Sequence, residues 1–141
     1  MAGRAILEPR ADRTIFVQPL VVADADIDEN GHVNNVVYVR WLQDVGTAHW
    51  NAVFPAEERA RWSWVALRHE IDYLRALPPG SAPVARTWVG EPQGPRFARF
   101  VRIEDEQGRV CAQGHSEWVL VDAATMRPTR IPPHFLPHFE A

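Results

Sequence analysis

The sequence predicts an α+β fold in which one long helix packs against an antiparallel sheet of about five strands. The first observation is a single stretch, about residues 34 to 54, whose apolar residues recur near helical spacing. The second is that one segment before this stretch and four after it have the composition of strands. The third is that the turn signals EPQGP and EDEQGR separate the last strands, which predicts that these strands are antiparallel neighbours.

The predicted helix follows directly on the first strand. TIFVQPLVV, about residues 14 to 22, is rich in β-branched residues and predicts that strand. Asn34 or Asn35 is predicted to cap the helix, since an Asn side chain can accept a hydrogen bond from the first free amides. The helix is expected to run to about Phe54, with Pro55 ending it. Its apolar residues are Val37, Tyr38, Trp41, Leu42, Val45, Ala48 and either Trp50 or Ala52.

The segment WSWVALRHEIDYLRAL after the helix alternates as a half-buried strand does, and PPGS ends it. The alternation predicts two faces. One face carries Val65, Leu67, Ile71 and Tyr73, and the other carries Arg68, Glu70 and Asp72.

Three further strands are predicted, at Val84–Gly90, Arg96–Glu104 and Val110–Val121. The tail RPTRIPPHFLPHF is too rich in proline for regular structure and is expected to pack along an edge. A sheet of about five strands can wrap the helix, and its exposed edge favours pairing with a second subunit.

Composition limits the class of protein. The chain has 141 residues and 46% hydrophobic content, which predicts one globular domain over residues 1–141. A net charge of −3 and a pI near 6.0 argue against nucleic-acid binding. The single cysteine, Cys111, forms no internal disulfide, is expected to be buried, and suits a reducing compartment. Without an apolar signal segment or a membrane-length run, we expect a cytoplasmic protein with no membrane partner.

The segment DIDENGHVNNV has some features of a calcium-binding loop, because Asp26, Asp28 and Asn30 are spaced like ligands and Gly31 follows them. The twelfth position of such a loop supplies a bidentate Glu, but here it is Val37. A calcium loop of this type also follows a helix, whereas this segment follows a predicted strand. We therefore predict no metal site and no cofactor.

The pattern D-x-D-x-x-G-H-V-N-N-x-x-Y-x-x-W, followed by a helix and four strands, resembles the hotdog-fold acyl-thioester hydrolases. It is most similar to bacterial acyl-CoA thioesterases of the 4-hydroxybenzoyl-CoA thioesterase type, and the plant acyl-carrier-protein thioesterases share HVNN. The resemblance extends from about Phe16 to Pro132. It implies that the sheet wraps the helix and that chains assemble as dimers or dimers of dimers. The thioester would enter at the dimer interface, near the start of the helix.

The resemblance also implies roles for individual residues. Asp28 matches the family's general base or nucleophile, and a backbone amide near Asn35 matches its oxyanion donor. Asn30 and His32 match catalytic residues of the plant relatives, and Glu70 matches their glutamate by register. These roles suit the chemistry, because thioester hydrolysis needs an activated water or a carboxylate nucleophile, plus donors for the oxyanion.

The match at Glu70 conflicts with the predicted alternation of its strand, which places Glu70 on the polar face. His69 instead shares the face of Leu67 and Ile71. Two interpretations follow: a bulge turns Glu70 inward, or His69 is the polar group near the site.

Structural roles are also open for the residues of this loop. Asp28 is typical of a turn residue whose side chain bonds the backbone, although the resemblance favours catalysis. Asp26 is expected to be structural. His32 either orients the site or bridges the turn to the sheet, and Asn34 is expected to be a helix cap rather than a substrate contact.

Five residues outside the loop have two open interpretations. The aromatic stripe of Tyr38, Trp41 and Trp50 is expected to pack in the core and at the dimer interface, or to lead to an acyl pocket at its end. Arg96 and Arg102 share one strand face, with Arg99 on the other. This pair is expected either to form a solvated face or to contact the phosphates of coenzyme A.

The leading hypothesis is an acyl-CoA thioesterase that uses water and no cofactor. One alternative is an acyl-carrier-protein thioesterase, suggested by Asn30 and His32. The other is a module that binds acyl-CoA without hydrolysing it. Asp28 argues against simple binding, because a carboxylate beside a thioester contributes nothing to it.

Overall fold

The computed structural model of the protein describes residues 5–141 and has a five-stranded antiparallel sheet with one long helix. The strands are arranged in the order β1-β3-β4-β5-β2. The predicted α+β fold is therefore confirmed. The elements are β1 Phe16–Pro19, α1 Asn35–Val53, the single-turn α2 Ala56–Arg59, β2 Trp62–Tyr73, β3 Val84–Val89, β4 Arg96–Glu104 and β5 Val110–Asp122.

Helix α1 begins and ends where local signals place it. Asn34 is the N-cap, and its Oδ1 accepts a hydrogen bond from the Val36 amide at 3.0 Å. At the other end the Phe54 N–H donates to the carbonyl of Trp50, and Pro55 follows directly. The side of α1 that faces the sheet is buried. Its buried residues are Val37, Tyr38, Trp41, Leu42, Val45 and His49.

The helix lies very close to the sheet where it crosses β5. A methyl group at Gly114 would lie 2.6 Å from Cδ2 of Leu42, which is closer than carbon atoms pack. Leu42 is only 2% exposed, so it has little room to move away. Gly114 thus allows α1 to settle onto the middle of the sheet.

The predicted alternation of β2 is wrong in its first half. The register shifts between Ala66 and Arg68, so a bulge at Leu67 reverses the phase of the strand. Before the bulge Trp64 faces α1, where its ring contacts Trp50, while Val65 is exposed. After the bulge Ile71 and Tyr73 face α1, as the alternation predicts. Ile71 packs on the core cluster, and the ring of Tyr73 meets that of Tyr38.

The other strands lie close to their predicted positions, although β1 is shorter than the predicted strand of residues 14 to 22. Cys111 is buried, as expected.

The tail does more than cover an edge, because Phe135 and Phe139 are fully buried against Phe54 and Phe97. Residues 136–139 form a 3₁₀ turn. Within residues 5–141, no helix is both long and apolar enough to cross a membrane.

The close approach at Gly114 gives a prediction about stability. We expect Gly114→Ala to lower the free energy of unfolding by about 1–3 kcal/mol, because the added methyl group overlaps Leu42. Urea unfolding would measure the loss. In the Gly114→Ala background, Leu42→Ala should cost less than it does alone, since it removes the overlap. Strictly additive costs would show that the two side chains do not compete for space.

Candidate active site

The DIDENGHVNN segment forms a tight turn closed by a bridge between Ile27 and Val33. The Asp28 N–H donates to the carbonyl of His32 at 2.9 Å, and the Gly31 N–H donates to the carbonyl of Asp28 at 3.0 Å. Gly31 has φ +80°, a conformation that other residues adopt at a cost. Local turn chemistry therefore determines the shape of this loop.

The carboxylate of Asp28 contributes to this turn. Its Oδ1 accepts a hydrogen bond from the Asn30 N–H at 2.9 Å and a longer one from the His32 N–H at 3.4 Å. Among the described residues, no donor is bonded to the second oxygen, Oδ2. The turn thus holds the carboxylate by one oxygen and leaves the other available for a water molecule or a substrate.

Asp26 joins the turn to the start of α1. Its carbonyl accepts from the Asn34 N–H at 2.8 Å, and its carboxylate accepts from the Ala23 N–H at 2.9 Å. The guanidinium of Arg40 donates to both carboxylate oxygens, at 3.1 and 3.2 Å. Asp26 is buried, and the hydrogen bonds from Arg40 lower the pKa of its carboxyl group. These contacts give Asp26 a structural role in positioning the turn.

The first amide of α1 is free. The Val36 N–H bonds the Asn34 cap, and the Val37 N–H donates to the carbonyl of Asn34 at 2.9 Å. Across residues 5–141, no acceptor is bonded to the Asn35 N–H. The carbonyl of Asn35 accepts from Tyr73 Oη at 3.1 Å, which ties the helix start to the end of β2. A free amide at the positive end of a helix is suited to binding an oxyanion.

Asn30 and His32 lie on the exposed surface of the turn. In the described part of the chain, neither side chain makes a hydrogen bond. His32 therefore does not bridge the turn to the sheet, which was one of its two expected roles. Both side chains are open to a substrate or to a second chain.

Tyr38 and Trp41 are core residues, since each is only 3% exposed. Their rings meet edge to face at 5.3 Å, and Tyr38 meets Tyr73 in the same way at 5.3 Å. Burial raises the pKa of Tyr38 to about 12, so its hydroxyl stays protonated at neutral pH. Within one chain, their role is packing behind the helix start.

The register of β2 places His69 on the face toward α1. Its Nδ1 lies 2.7 Å from Ser116 Oγ, its ring meets the edge of Trp118, and burial lowers its pKa. Glu70 lies on the opposite face, where it is exposed and forms an ion pair with Arg68. The bulge at Leu67 does not turn Glu70 inward, so His69 is the polar group of this strand on the helix side.

Arg96 and Arg102 share the face of β4 that points away from α1, as predicted. Arg96 is exposed. Arg102 is held by carboxylates, 3.0 Å from Glu8 and 3.4 Å from Glu104, and its guanidinium lies over the ring of Trp88. Of the pair, Arg96 is the one left open for the phosphates of a ligand.

A pocket lies between the middle of α1 and the sheet, at the Trp50 end of the aromatic stripe, and it contains a partly buried cation that was not among the candidate residues. Arg99 of β4 lines it, together with Trp50, Trp64 and Trp118. Its guanidinium contacts His49 of α1. The sequence did contain a signal for Arg99, because the alternation of β4 places this charged residue on the same strand face as the apolar Phe97 and Val101.

This fold and this arrangement at the helix start define a class. The sequence profile of the thioesterase-like superfamily matches residues 22–139. The profile covers most of the chain, and the chain therefore belongs to this superfamily. The expectation of a thioester hydrolase with the hotdog fold is confirmed. No curated protein sequence matches the chain.

Solved structures show the same fold at low sequence identity. A predicted thioesterase from Bacillus stearothermophilus is 22% identical with a TM-score of 0.77, over 89% of this chain and 94% of that one. A thioesterase from Thermus thermophilus, solved with coenzyme A and Zn, is 21% identical with a TM-score of 0.76, over 87% and 90%. The DHNA-CoA thioesterase from Staphylococcus aureus is 16% identical with a TM-score of 0.76, over 87% and 85%.

The Asp26–Arg40 contact gives a prediction about pH. We expect Asp26→Asn to lower the free energy of unfolding at pH 7 by about 1–2 kcal/mol, since it weakens charge-assisted hydrogen bonds to a half-exposed arginine. The pKa of Asp26 is lower in the folded than in the unfolded state, so its contribution to stability is present above the unfolded-state pKa and is lost as the pH falls through the folded-state pKa.

Urea unfolding of wild type and variant at pH 7 and at acid pH would measure the difference. Asp44→Asn is the matched control, because Asp44 is an exposed carboxylate 4.0 Å from the same arginine, and should have little effect. A difference between wild type and Asp26→Asn that persists unchanged at low pH would show that the charge of Asp26 is not involved.

Proposed function

We propose that the protein hydrolyses acyl-CoA thioesters, with Asp28 and the Asn35 amide as its reacting groups. The observation that supports this is the turn itself, which holds a carboxylate with one unbonded oxygen just ahead of a free helix amide. The thioester carbonyl would lie against the Asn35 N–H, where the helix dipole stabilises the developing negative charge. The coenzyme A bound in the Thermus thermophilus relative supports the choice of thioester.

Asp28 can act in two ways. As a general base, Asp28 takes a proton from water while the water oxygen attacks the carbonyl carbon. The C–S bond then breaks, and the coenzyme A sulfur leaves and is protonated. As a nucleophile, Asp28 attacks the carbonyl carbon, the C–S bond breaks, and the coenzyme A thiolate leaves and is protonated. The resulting mixed anhydride is then hydrolysed by water. Both routes give the free acid and coenzyme A.

We also propose that the site is completed in a dimer paired through β2. β2 is a sheet edge and runs for 12 residues, whereas the opposite edge, β1, has only 4 residues and ends in Pro19. A long edge strand has unpaired backbone groups that favour pairing with another chain. Tyr73 at the end of β2 contacts Asn35, so a partner on this edge would lie close to the helix start. The exposed His32 and Asn30 would then be near the second chain.

The proposed role of Asp28 gives a prediction about activity. Asp28→Asn keeps the size of the side chain and its ability to accept the turn hydrogen bonds, but it removes the carboxylate. We expect kcat for acyl-CoA hydrolysis to fall at least about a hundredfold, the lower end of the effect of a general base. Substrate binding should persist, because the helix amide and the remaining contacts are unchanged. A spectrophotometric assay of released coenzyme A would measure the effect.

Glu29→Gln is the matched control, because Glu29 is an exposed carboxylate in the same turn and should leave kcat unchanged. A thermal melt of each variant separates loss of chemistry from loss of folding. An Asp28→Asn enzyme within about fivefold of wild type would place the chemistry elsewhere, with His69 and Glu70 as the next residues to test. Asp28 labelled after a single turnover in heavy-oxygen water would identify the anhydride route, and label confined to the product acid would favour the general base.

The proposed pairing through β2 gives a prediction about assembly. Sedimentation at low micromolar concentration should show a dimer or a dimer of dimers and no monomer. Leu67 is 49% exposed at the middle of β2, where a symmetric antiparallel pair brings its two copies together. Leu67→Arg should therefore produce monomer, because two like charges meet. Val17→Arg is the control, since Val17 is 45% exposed on the opposite edge strand and should leave the assembly intact. A fully active wild-type monomer would contradict both the pairing and the shared site.

A further inference from the structure

The pocket between the middle of α1 and the sheet is mostly apolar, with a volume of about 500 Å³ including the part open to solvent. Trp50 of α1, Trp64 of β2 and Phe97 of β4 supply apolar walls. Arg99 is the charged residue of its lining. Gly46 and Trp50 of α1 line the pocket, so it lies on the same helix whose start carries the Asn35 amide.

The charge of Arg99 has no counter-charge within residues 5–141, since no carboxylate there forms an ion pair with it. Its Nη1 instead contacts two neutral groups, His49 Nδ1 at 3.0 Å and Thr87 Oγ1 at 3.0 Å. His49 is 2% exposed, and burial together with the nearby guanidinium lowers its pKa to about 3. A neutral His49 accepts the hydrogen bond through Nδ1, so it orients the arginine without neutralising it.

The unused edge of this guanidinium has the geometry of an anion site. Nε and Nη2 make no hydrogen bond with the described residues, and both remain accessible in the pocket. These two N–H groups point in parallel and match the two oxygens of a carboxylate. Gly46 of α1 leaves room here, because a methyl group on it would lie 3.2 Å from Nε.

Trp118 provides a second, independent observation. Its ring lines the same pocket, and its buried Nε1–H has no acceptor in the described chain. A partly buried cation without a counter-charge also costs free energy. A ligand that brings an anion to Arg99 would reduce that cost, whereas a purely apolar ligand would not.

We propose that this pocket binds a carboxylate at the far end of the acyl chain, which makes dicarboxylic acyl thioesters the preferred substrate class. The proposal rests on the proposed function, because it takes the thioester carbonyl to lie at the Asn35 amide. Asn35 and Gly46 are separated by about 16 Å along the helix axis, at 1.5 Å per residue. A chain of medium length, such as a decanedioyl group, is therefore a suitable first probe.

The experiment compares decanedioyl-CoA with decanoyl-CoA, which differ only in the terminal carboxylate. For the wild type we expect kcat/KM to be at least about tenfold higher for decanedioyl-CoA, because a charge-assisted bidentate contact is worth that much or more. In Arg99→Met, methionine is neutral and of similar length, so the ratio of kcat/KM for the two thioesters should fall to about one. Gly46→Ala should reduce the preference, since its methyl group crowds Nε.

Thermal melts separate a binding role from a structural one. Arg99→Met removes a partly buried cation without a counter-charge and also the hydrogen bonds to His49 and Thr87, so we expect its melting temperature to change little. If a carboxylate of a second chain pairs with Arg99, the variant would instead lose stability or dissociate, and that result would overturn the proposal. Equal kcat/KM for the two thioesters in the wild type would also overturn it, while leaving the proposed hydrolysis intact.

A binding measurement keeps the two proposals apart. Calorimetry with the free acids should show that wild type binds decanedioate more tightly than decanoate, and that Arg99→Met does not discriminate between them. If this preference is observed but no acyl-CoA is hydrolysed, the proposed function fails and the assignment of the pocket stands. If hydrolysis proceeds but neither the assay nor calorimetry shows a preference, only the assignment of the pocket fails.

Discussion

The close contact between α1 and the centre of the sheet is the constraint on which the remaining structure depends. The helix reaches β5 only because residue 114 has no side chain to meet Leu42. Polar side chains that face the helix therefore need hydrogen-bond partners within this layer. Arg99 bonds His49 and Thr87 there, and His69 bonds Ser116.

This packing also determines where the start of α1 and the Asp28 turn lie. With α1 held against the sheet, its first turn is fixed beside the end of β2, where Tyr73 bonds Asn35. Asp26 then attaches the preceding turn to the helix through Asn34 and Arg40. The carboxylate and the free amide are thus held on rigid supports, which is the condition for electrostatic stabilisation of a transition state.

The start and the middle of the helix carry different chemical groups. At the start, the groups available are a carboxylate held at the surface and a backbone amide, which suit a reacting carbonyl. Further along, the groups available are an arginine edge and aromatic walls, which suit the remote part of a substrate. Binding energy from a remote contact can position the reacting group, so the two regions of one helix would serve specificity and reaction in the proposed function.

The sequence by itself determined the order of the elements, the helix cap at Asn34 and the turn at Gly31, because each of these depends on neighbouring residues. It also indicated Asp28 and the Asn35 amide, since both belong to one continuous motif. Only the tertiary structure decided that the bulge at Leu67 leaves His69 facing the helix and Glu70 facing away. It likewise decided that Arg99 is partly buried beside His49 and that the tail contributes Phe135 to the core. These features depend on pairing and packing between residues distant in the chain, and no local pattern records which distant partner a side chain will meet.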